Sequence, residues 1–411
     1  MEVNESVDNG NVHGFCEAGF ELVLDEFLQN FNERSEVGAS VCVRVGDQTK
    51  VDLWGGLSSP EDKTPWEKDT VSIVFSCTKA AVALCAHILA DRGELDLFAP
   101  VTDYWPEFGK EGKEAITVAM MLNHSAGLPA FREPIKTGGY YDWDYMVKRL
   151  EEEAPFWEPG TRNGYHMVSF GWTVGELIAR VSGKTLGQFF SDEVASPLGL
   201  DFWIGLPKEI ETRVSPIIIF VPSPGEPVTE FVEKLVSDKT SIQYLSFLNS
   251  GGFDVNTKEA HAAMIGGGGG ITNARSLCGM YVPLSGDGTY QEGQLVSQDT
   301  IARMRQISMA TQQDATLLIP SRFSLGFMKS MDNRHRPLGH VESLIIGEKA
   351  FGHGGAGGSL GFADPECSLA FAYTMNKMGY GILLNERGQS LVDATYRSLG
   401  YRSNQSGVWI R

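Results

Sequence analysis

Val71-Ser-Ile-Val-Phe75-Ser76-Cys77-Thr78-Lys79, continuing into Ala80-Ala-Val-Ala-Leu-Cys-Ala86, is the stretch on which the fold and chemistry of this chain turn. From Lys79 to Ala90 the residues are apolar on every side, which predicts a helix buried all round. Ser76 opens that helix. The i, i+3 spacing sets Ser76 and Lys79 side by side on one face. The helix start offers free N–H groups and the positive end of the dipole. A desolvated lysine loses proton affinity and can accept a serine proton. An S-x-x-K is expected about once by chance in a chain of this composition, so the motif alone is weak. The plain alternative is a capping serine followed by a first-turn lysine. A lysine there opposes the dipole and heads an apolar helix, so capping explains it poorly.

A second serine competes: Ser359 in Gly357-Gly358-Ser359-Leu360-Gly361. A G-x-S-x-G nucleophile needs a strand, a sharp turn and then a helix. Gly361 and Pro365 forbid that helix, so a glycine-rich strand and turn is expected.

Outward from Ser76, residues 1–16 read as a loose N-terminal tail. Phe20, Leu22, Val23, Phe27 and Phe31 recur at helical spacing. Val41, Val43 and Val45 alternate with polar or small residues and turn back at Gly46-Asp47 into Val51–Trp54, a hairpin closed by Gly55-Gly56. The middle of the chain, from Ser76 to about Leu284, reads as helices joined by loops, with one helix over Val168–Val181 ended by Gly183. Ile217–Pro227 reads as an irregular loop. Ser324–Met328 and Leu369–Met375 read as strands, and a helix over Gln389–Leu399 closes the chain. Strands at both ends with helices between predict an α/β (α+β) fold. Its sheet domain combines 17–75 and 320–411, a mainly helical domain spans 76–319, and the site lies at their junction.

Composition bounds the partners. The chain has 411 residues, 42 % hydrophobic and 21 % charged, with 34 Lys+Arg against 52 Asp+Glu for a net charge of −18. That is globular composition, and the acidic excess argues against nucleic acid or an anionic membrane surface as partner. No run is long and apolar enough to predict a membrane span. The first 15 residues lack the basic start and apolar core of a secretory signal. The six cysteines, Cys16, Cys42, Cys77, Cys85, Cys278 and Cys367, form no C-x-x-C, which predicts reduced thiols in the cytoplasm.

Three further segments bear on function: Leu122-Asn-His-Ser-Ala-Gly-Leu-Pro129, Pro159-Gly-Thr-Arg-Asn-Gly-Tyr165-His-Met-Val-Ser169, and Phe351-Gly-His353-Gly354-Gly355-Ala356-Gly-Gly-Ser359. With Ser76–Lys79 and Gly269–Leu277, their order and spacing resemble the serine β-lactamase-like and penicillin-recognising hydrolases, especially the class C β-lactamase-related carboxylesterases (family VIII). The resemblance implies a β-lactamase/transpeptidase-like fold, an antiparallel sheet flanked by helices plus a mainly helical domain. It implies Ser76 as acylated nucleophile, Lys79 as its proton partner and Tyr165 as proton relay to the leaving group. It also implies the N–H groups of Ser76 and Ala356 as oxyanion hole. His353-Gly354-Gly355 stands where the lactamases carry Lys-Thr-Gly, and Met167 replaces the asparagine of Tyr-x-Asn. Methionine cannot donate the amide hydrogen bond and histidine is at most half charged near neutral pH, which favours simple esters over β-lactams.

The expected activity is a serine carboxylesterase on small-molecule esters with short to medium acyl chains, needing no cofactor. A β-lactamase or D-amino-acid peptidase or amidase, an acyltransferase, and a catalytically silent binding protein stay open. His353 is expected as a donor near the tyrosine oxygen or the substrate. His124 is expected to be structural, His166 to point away, and His87 to be a core histidine. Tyr140, Tyr141, Trp143, Tyr145 and Trp157 divide between core and a possible acyl pocket. The histidine spacings match no metal motif. Gly266–Gly270 lacks the Gly-Lys-Ser/Thr ending of a phosphate loop and reads as a flexible turn before a helix.

Overall fold

The computed structural model describes residues 1–222, 225–291, 293–381 and 383–411. The strands that position the site are β1 (Glu2–Val7), β2 (Gly10–Cys16), β3 (Gly38–Val45), β4 (Gln48–Ser59), β5 (Ser72–Ile73), β6 (Phe202–Ile204), β7 (Gly270–Thr272), β8 (Phe351–Gly354), β9 (Leu360–Asp364) and β10 (Leu369–Met375). The helices that support them are α1 (Glu21–Glu33), α2 (Cys77–Asp91), α3 (Phe170–Ser182), α4 (Ala274–Ser285) and α5 (Glu386–Ser398).

The main sheet is antiparallel, in the order β1-β2-β4-β3-β10-β9-β8. Its centre is the pairing of β3 with β10, in which Val41 faces Tyr373 and Ala39 faces Met375. All seven residues of β10 are buried, so both faces of the sheet are covered. Leu369, Phe371, Tyr373 and Met375 pack with Phe27 and Phe31 of α1 and Leu391 and Tyr396 of α5. Ala370 and Ala372 face the core that contains α2, α3 and α4. Small residues on that face let α4 come close. A Cβ on Gly361 of β9 would lie 2.6 Å from the Tyr281 ring. Helix α4 therefore lies on the sheet, although its residues fall inside the span 76–319 read as helical insertion.

The expected tail at residues 1–16 is overturned: it is the β1–β2 hairpin, and β2 pairs with β4 from Val12↔Gly55 to Cys16↔Val51. Val3, Val12 and Cys16 are buried, while Glu2 and Glu5 remain exposed on the edge strand. Charged residues on an exposed edge discourage further strand pairing, and they also give the segment its tail-like composition. The hairpin strand expected to close at Gly55-Gly56 runs on to Ser59.

Ser324–Met328 is not a strand. The strand nearby is Ser321–Phe323, and the chain then turns, with the Ser324 N–H donating to Phe327 O at 2.9 Å. Gly326 has φ +90°, and its absent Cβ would sit 2.3 Å from Ala83 Cβ, so the chain crosses α2 by a conformation open to glycine. In the Ile217–Pro227 stretch, Ile218 bridges to Lys377, while residues 223 and 224 lie outside the described residues.

The two ends of the chain are tied by a buried ion pair. Glu36, just before β3, accepts from Arg387 of α5 at 2.5 Å and from the hydroxyl of Tyr373 on β10. Glu36 has no exposed surface. Glu36→Ala leaves the Arg387 guanidinium buried without its partner. We expect a loss of about 3–5 kcal/mol in urea unfolding, and a loss below about 1 kcal/mol would contradict the tie.

Candidate active site

Helix α2 is buried on every side from Cys77 to Leu89, as its apolar sequence requires. The short strand β5 leads into it and pairs with β7, which also pairs with β6. Between strand and helix, Phe75 is held at φ +46°, in the left-handed region that a phenylalanine seldom adopts. This strained residue precedes Ser76 directly. Ser76 has helical backbone angles and its hydroxyl caps nothing. Capping therefore does not account for the serine. The hydroxyl lies 3.2 Å from Lys79 Nζ.

Lys79 is fully buried, and its Nζ makes two further hydrogen bonds, to Met167 O at 2.6 Å and to Gly267 O. Nζ also lies 4.8 Å from the centre of the Tyr165 ring. Burial pushes the Lys79 amine well below the usual lysine range, with Cys77 opposing weakly. The two carbonyls constrain the neutral amine. A carbonyl can only accept, so the two remaining N–H bonds of a deprotonated Lys79 point to Met167 and Gly267, and its lone pair faces Ser76 Oγ.

Tyr165 lies in the segment before α3. Its N–H donates to Asp314 Oδ1 at 3.0 Å. Its ring is stacked on Phe323, at 5.8 Å between centres, and meets His124 edge-on at 4.9 Å. The phenol oxygen is buried without a well-formed hydrogen bond, and Ser76 is the hydroxyl that lies close enough to ease its ionisation. Burial outweighs that effect and keeps Tyr165 a neutral phenol.

The third wall is the turn after β8. Gly355 packs its backbone on Val74: a Cβ there would sit 2.2 Å from Val74 O. The Cys77 thiol donates to His353 O at 3.1 Å, which draws β8 against the start of α2. Ala356 follows at the first position of a short 3-10 turn. Among the described residues, the N–H groups of Ser76 and Ala356 donate to no acceptor.

His353 is fully buried, and its Nδ1 lies 2.7 Å from Gly354 O. A carbonyl cannot donate, so Nδ1 carries the proton and Nε2 is a bare acceptor. Burial, with Lys79 nearby, pulls the ring down to about 3, so it is neutral. The expectation of a donor at this position is thus corrected to an acceptor, 6.0 Å from the Tyr165 ring between centres. His124 accepts the His166 N–H at Nδ1, and His166 turns its Nε2 to the Leu128 N–H at 3.0 Å. His87 bonds to Leu325 O within the core.

The sequence-predicted residues Ser76, Lys79 and Tyr165 come together, with His353, Gly354, Gly355 and Ala356 beside them. Ser359 is buried in the β8–β9 turn with Oγ 3.4 Å from Val74 O, in no nucleophile elbow. Of the aromatic candidates, Tyr140 is in the core, while Tyr141, Trp143, Tyr145 and Trp157 are half-buried. A cleft of about 440 Å³ lined by Arg34, Arg334 and Arg397 among others opens away from these residues. No helix among the described residues is long and apolar enough to cross a membrane, and all six cysteines are free.

The glycine run is a turn, as expected, but a tightly packed one, and it leads into β7 before the helix α4. Gly266, Gly267, Gly269 and Gly270 are buried, and a Cβ on Gly267 would meet Val168 O at 2.3 Å. Gly171 of α3 is equally tight, its Cβ position lying 2.2 Å from Gly267 N. The run lets two backbones touch so that the Gly267 carbonyl reaches Lys79.

The chain matches the Beta-lactamase family over residues 24–392. It is 31 % identical over 371 residues to Esterase/beta-lactamase LipL of Mycobacterium tuberculosis, covering 89 % of this chain and 83 % of that protein. A family VIII carboxylesterase crystal structure is 35 % identical with TM-score 0.82, covering 94 % of this chain and 99 % of the other. A penicillin-binding protein homolog from Caulobacter crescentus is 31 % identical with TM-score 0.82, covering 94 % and 99 %.

The contact of Gly267 with Val168 is backbone against backbone and cannot give. Gly267→Ala should lower unfolding stability by about 1–3 kcal/mol, read by denaturant titration. An unchanged midpoint would show that the Gly267 carbonyl is not held this way.

Proposed function

The chain belongs to the beta-lactamase family of serine hydrolases, and on that premise we propose that it is a carboxylesterase working through a Ser76-Lys79-Tyr165 acyl-enzyme mechanism. The observation that carries this reading is the dry Lys79 amine, aimed at Ser76 by two carbonyl acceptors. Neutral Lys79 takes the Ser76 proton as Oγ attacks the ester carbonyl. The tetrahedral oxyanion sits between the N–H groups of Ser76 and Ala356. Tyr165 gives its proton to the departing alkoxide and is reprotonated from Lys79, so the alcohol leaves neutral. Water then attacks the acyl-Ser76 ester by the same steps in reverse, releasing the carboxylic acid. Gly354 and Gly355 bring the oxyanion turn against the serine without side-chain bulk. The substrate class is a small carboxylic ester with a short to medium acyl chain.

The division of labour we propose is a sheet part, 17–75 with 320–411 and joined by the β1–β2 hairpin, and a mainly helical part within 76–319, from which α4 returns to the sheet. Ser76 stands where they meet.

Two measurements test the mechanism. Side-by-side hydrolysis of p-nitrophenyl esters and nitrocefin should favour the esters, and Ser76→Ala should lose at least about 1,000-fold in ester kcat. Equal ester rates in wild type and Ser76→Ala would sink the assignment, and preferred turnover of nitrocefin would make it a lactamase. The pH profile gives the second test. Lys79 works only when deprotonated, so kcat/KM falls as acid reprotonates it. Because burial lowers the amine, that limb lies well below the lysine value of 10.5. A limb at ordinary lysine pH would remove Lys79 from the role of base.

A further inference from the structure

We propose that Asp314 is a positioning residue that sets Tyr165 for proton transfer; this rests on the role of Tyr165 proposed above. Asp314 is fully buried, and among the described residues no lysine, arginine or histidine hydrogen-bonds to it. Its Oδ1 accepts three backbone N–H groups: Tyr165 at 3.0 Å, Thr316 at 2.9 Å and Leu317 at 2.9 Å. Oδ2 lies 3.1 Å from Ser321 Oγ, which is also 3.0 Å from Asn163 Oδ1 and shares its one proton between them. Burial raises the Asp314 carboxyl above the usual carboxylate range, and the backbone N–H groups on Oδ1 work against that rise, so the side chain depends on the segments that donate to it.

The role of Asp314 lies in what it joins. Tyr165 Oη has no strong bond of its own, so the phenol is placed only by its backbone and its ring contacts. Asp314 fixes the backbone directly. The same carboxylate, through Ser321, also holds the strand Ser321–Phe323, whose Phe323 ring stacks on Tyr165. Backbone and ring are therefore referred to one group.

The loop around Asp314 is rigid. It closes through Leu318 N–H to Asp314 O and Asp314 N–H to Ile319 O, both 2.9 Å, with Leu318 at φ +61°. It is tied to the tyrosine segment again by the Ala315 N–H on Asn163 O at 3.0 Å. From outside, buried Gln243, on the helix Ile242–Phe247, clamps it by donating Nε2 to Ala315 O at 3.0 Å and Thr316 O at 2.7 Å.

The test is steady-state ester hydrolysis with active sites counted by fluorophosphonate labelling. Asp314→Ala should lower kcat per labelled site by about 30- to 100-fold while KM stays within about threefold. Asp314→Asn keeps a carbonyl oxygen for the three N–H groups and should recover to within about fivefold of wild type. A purely architectural role would instead reduce the labelled fraction and leave kcat per site alone. A kcat per site within about threefold of wild type in Asp314→Ala, or equal losses in the two variants, overturns the proposal. Should Asp314→Ala fail to fold, Gln243→Leu is the second arm. It should cost about three- to tenfold in kcat with KM unchanged, and an unchanged kcat counts against the proposal. Tyr165→Phe separates the two levels. Wild-type kcat in that variant overturns the Tyr165 role and this inference together, whereas a loss there without a loss in Asp314→Ala overturns this inference alone.

Discussion

A single amine withheld from water governs the site. Lys79 has no exposed surface, and two carbonyl acceptors and the Ser76 hydroxyl surround its nitrogen. Each hydrogen bond compensates part of the cost of burial, yet none comes from a carboxylate that would stabilise the charged form. The neighbours obey the same condition. His124, His166 and His353 are all buried and pulled below the ordinary histidine range, in part by Lys79 itself. Cys77 is pushed up to about 12 by burial and stays a thiol. The pocket is therefore neutral in a chain of net charge −18. Its polarity resides in aligned N–H and C=O groups, which do not titrate.

That reliance on backbone explains where glycine is needed. Gly267 presents a carbonyl to Lys79, Gly171 makes room for it, and Gly355 brings the oxyanion turn onto Val74. Each position is one where a Cβ would strike main-chain atoms. Side chains could in principle supply similar polar groups, but only with extra rotamers to freeze. Backbone carbonyls and N–H groups come with their directions already set by the turns that carry them.

This also marks how far the site could be read from residue types. Ser76, Lys79 and Tyr165 are recognisable because side chains do their work and spacing reports a shared face. The strand at Leu369–Met375 was legible because large and small residues alternate over a doubly buried run. Gly267 was hidden because an accepting carbonyl leaves no mark in the residue type. Asp314 was hidden because one acid before an apolar Ala-Thr-Leu-Leu-Ile looks like a turn residue. The β1–β2 hairpin was hidden because a charged edge strand resembles a tail. The polarity of His353 was reversed because the tautomer depends on Gly354 O, a contact that one-dimensional reading does not contain.

The pairing of β3 with β10 has a consequence during synthesis. Val45 lies opposite Leu369 and Ala39 opposite Met375, so the central strand finds its neighbour only after some 330 intervening residues have been made. At about 5–20 residues per second, that edge stands open for roughly 15 to 70 s on the ribosome. Meanwhile β4, and the β1–β2 hairpin beyond it, can cover only the opposite side. Until β10 is made, the half-sheet formed by the N-terminal strands has one edge whose N–H and C=O groups are unpaired.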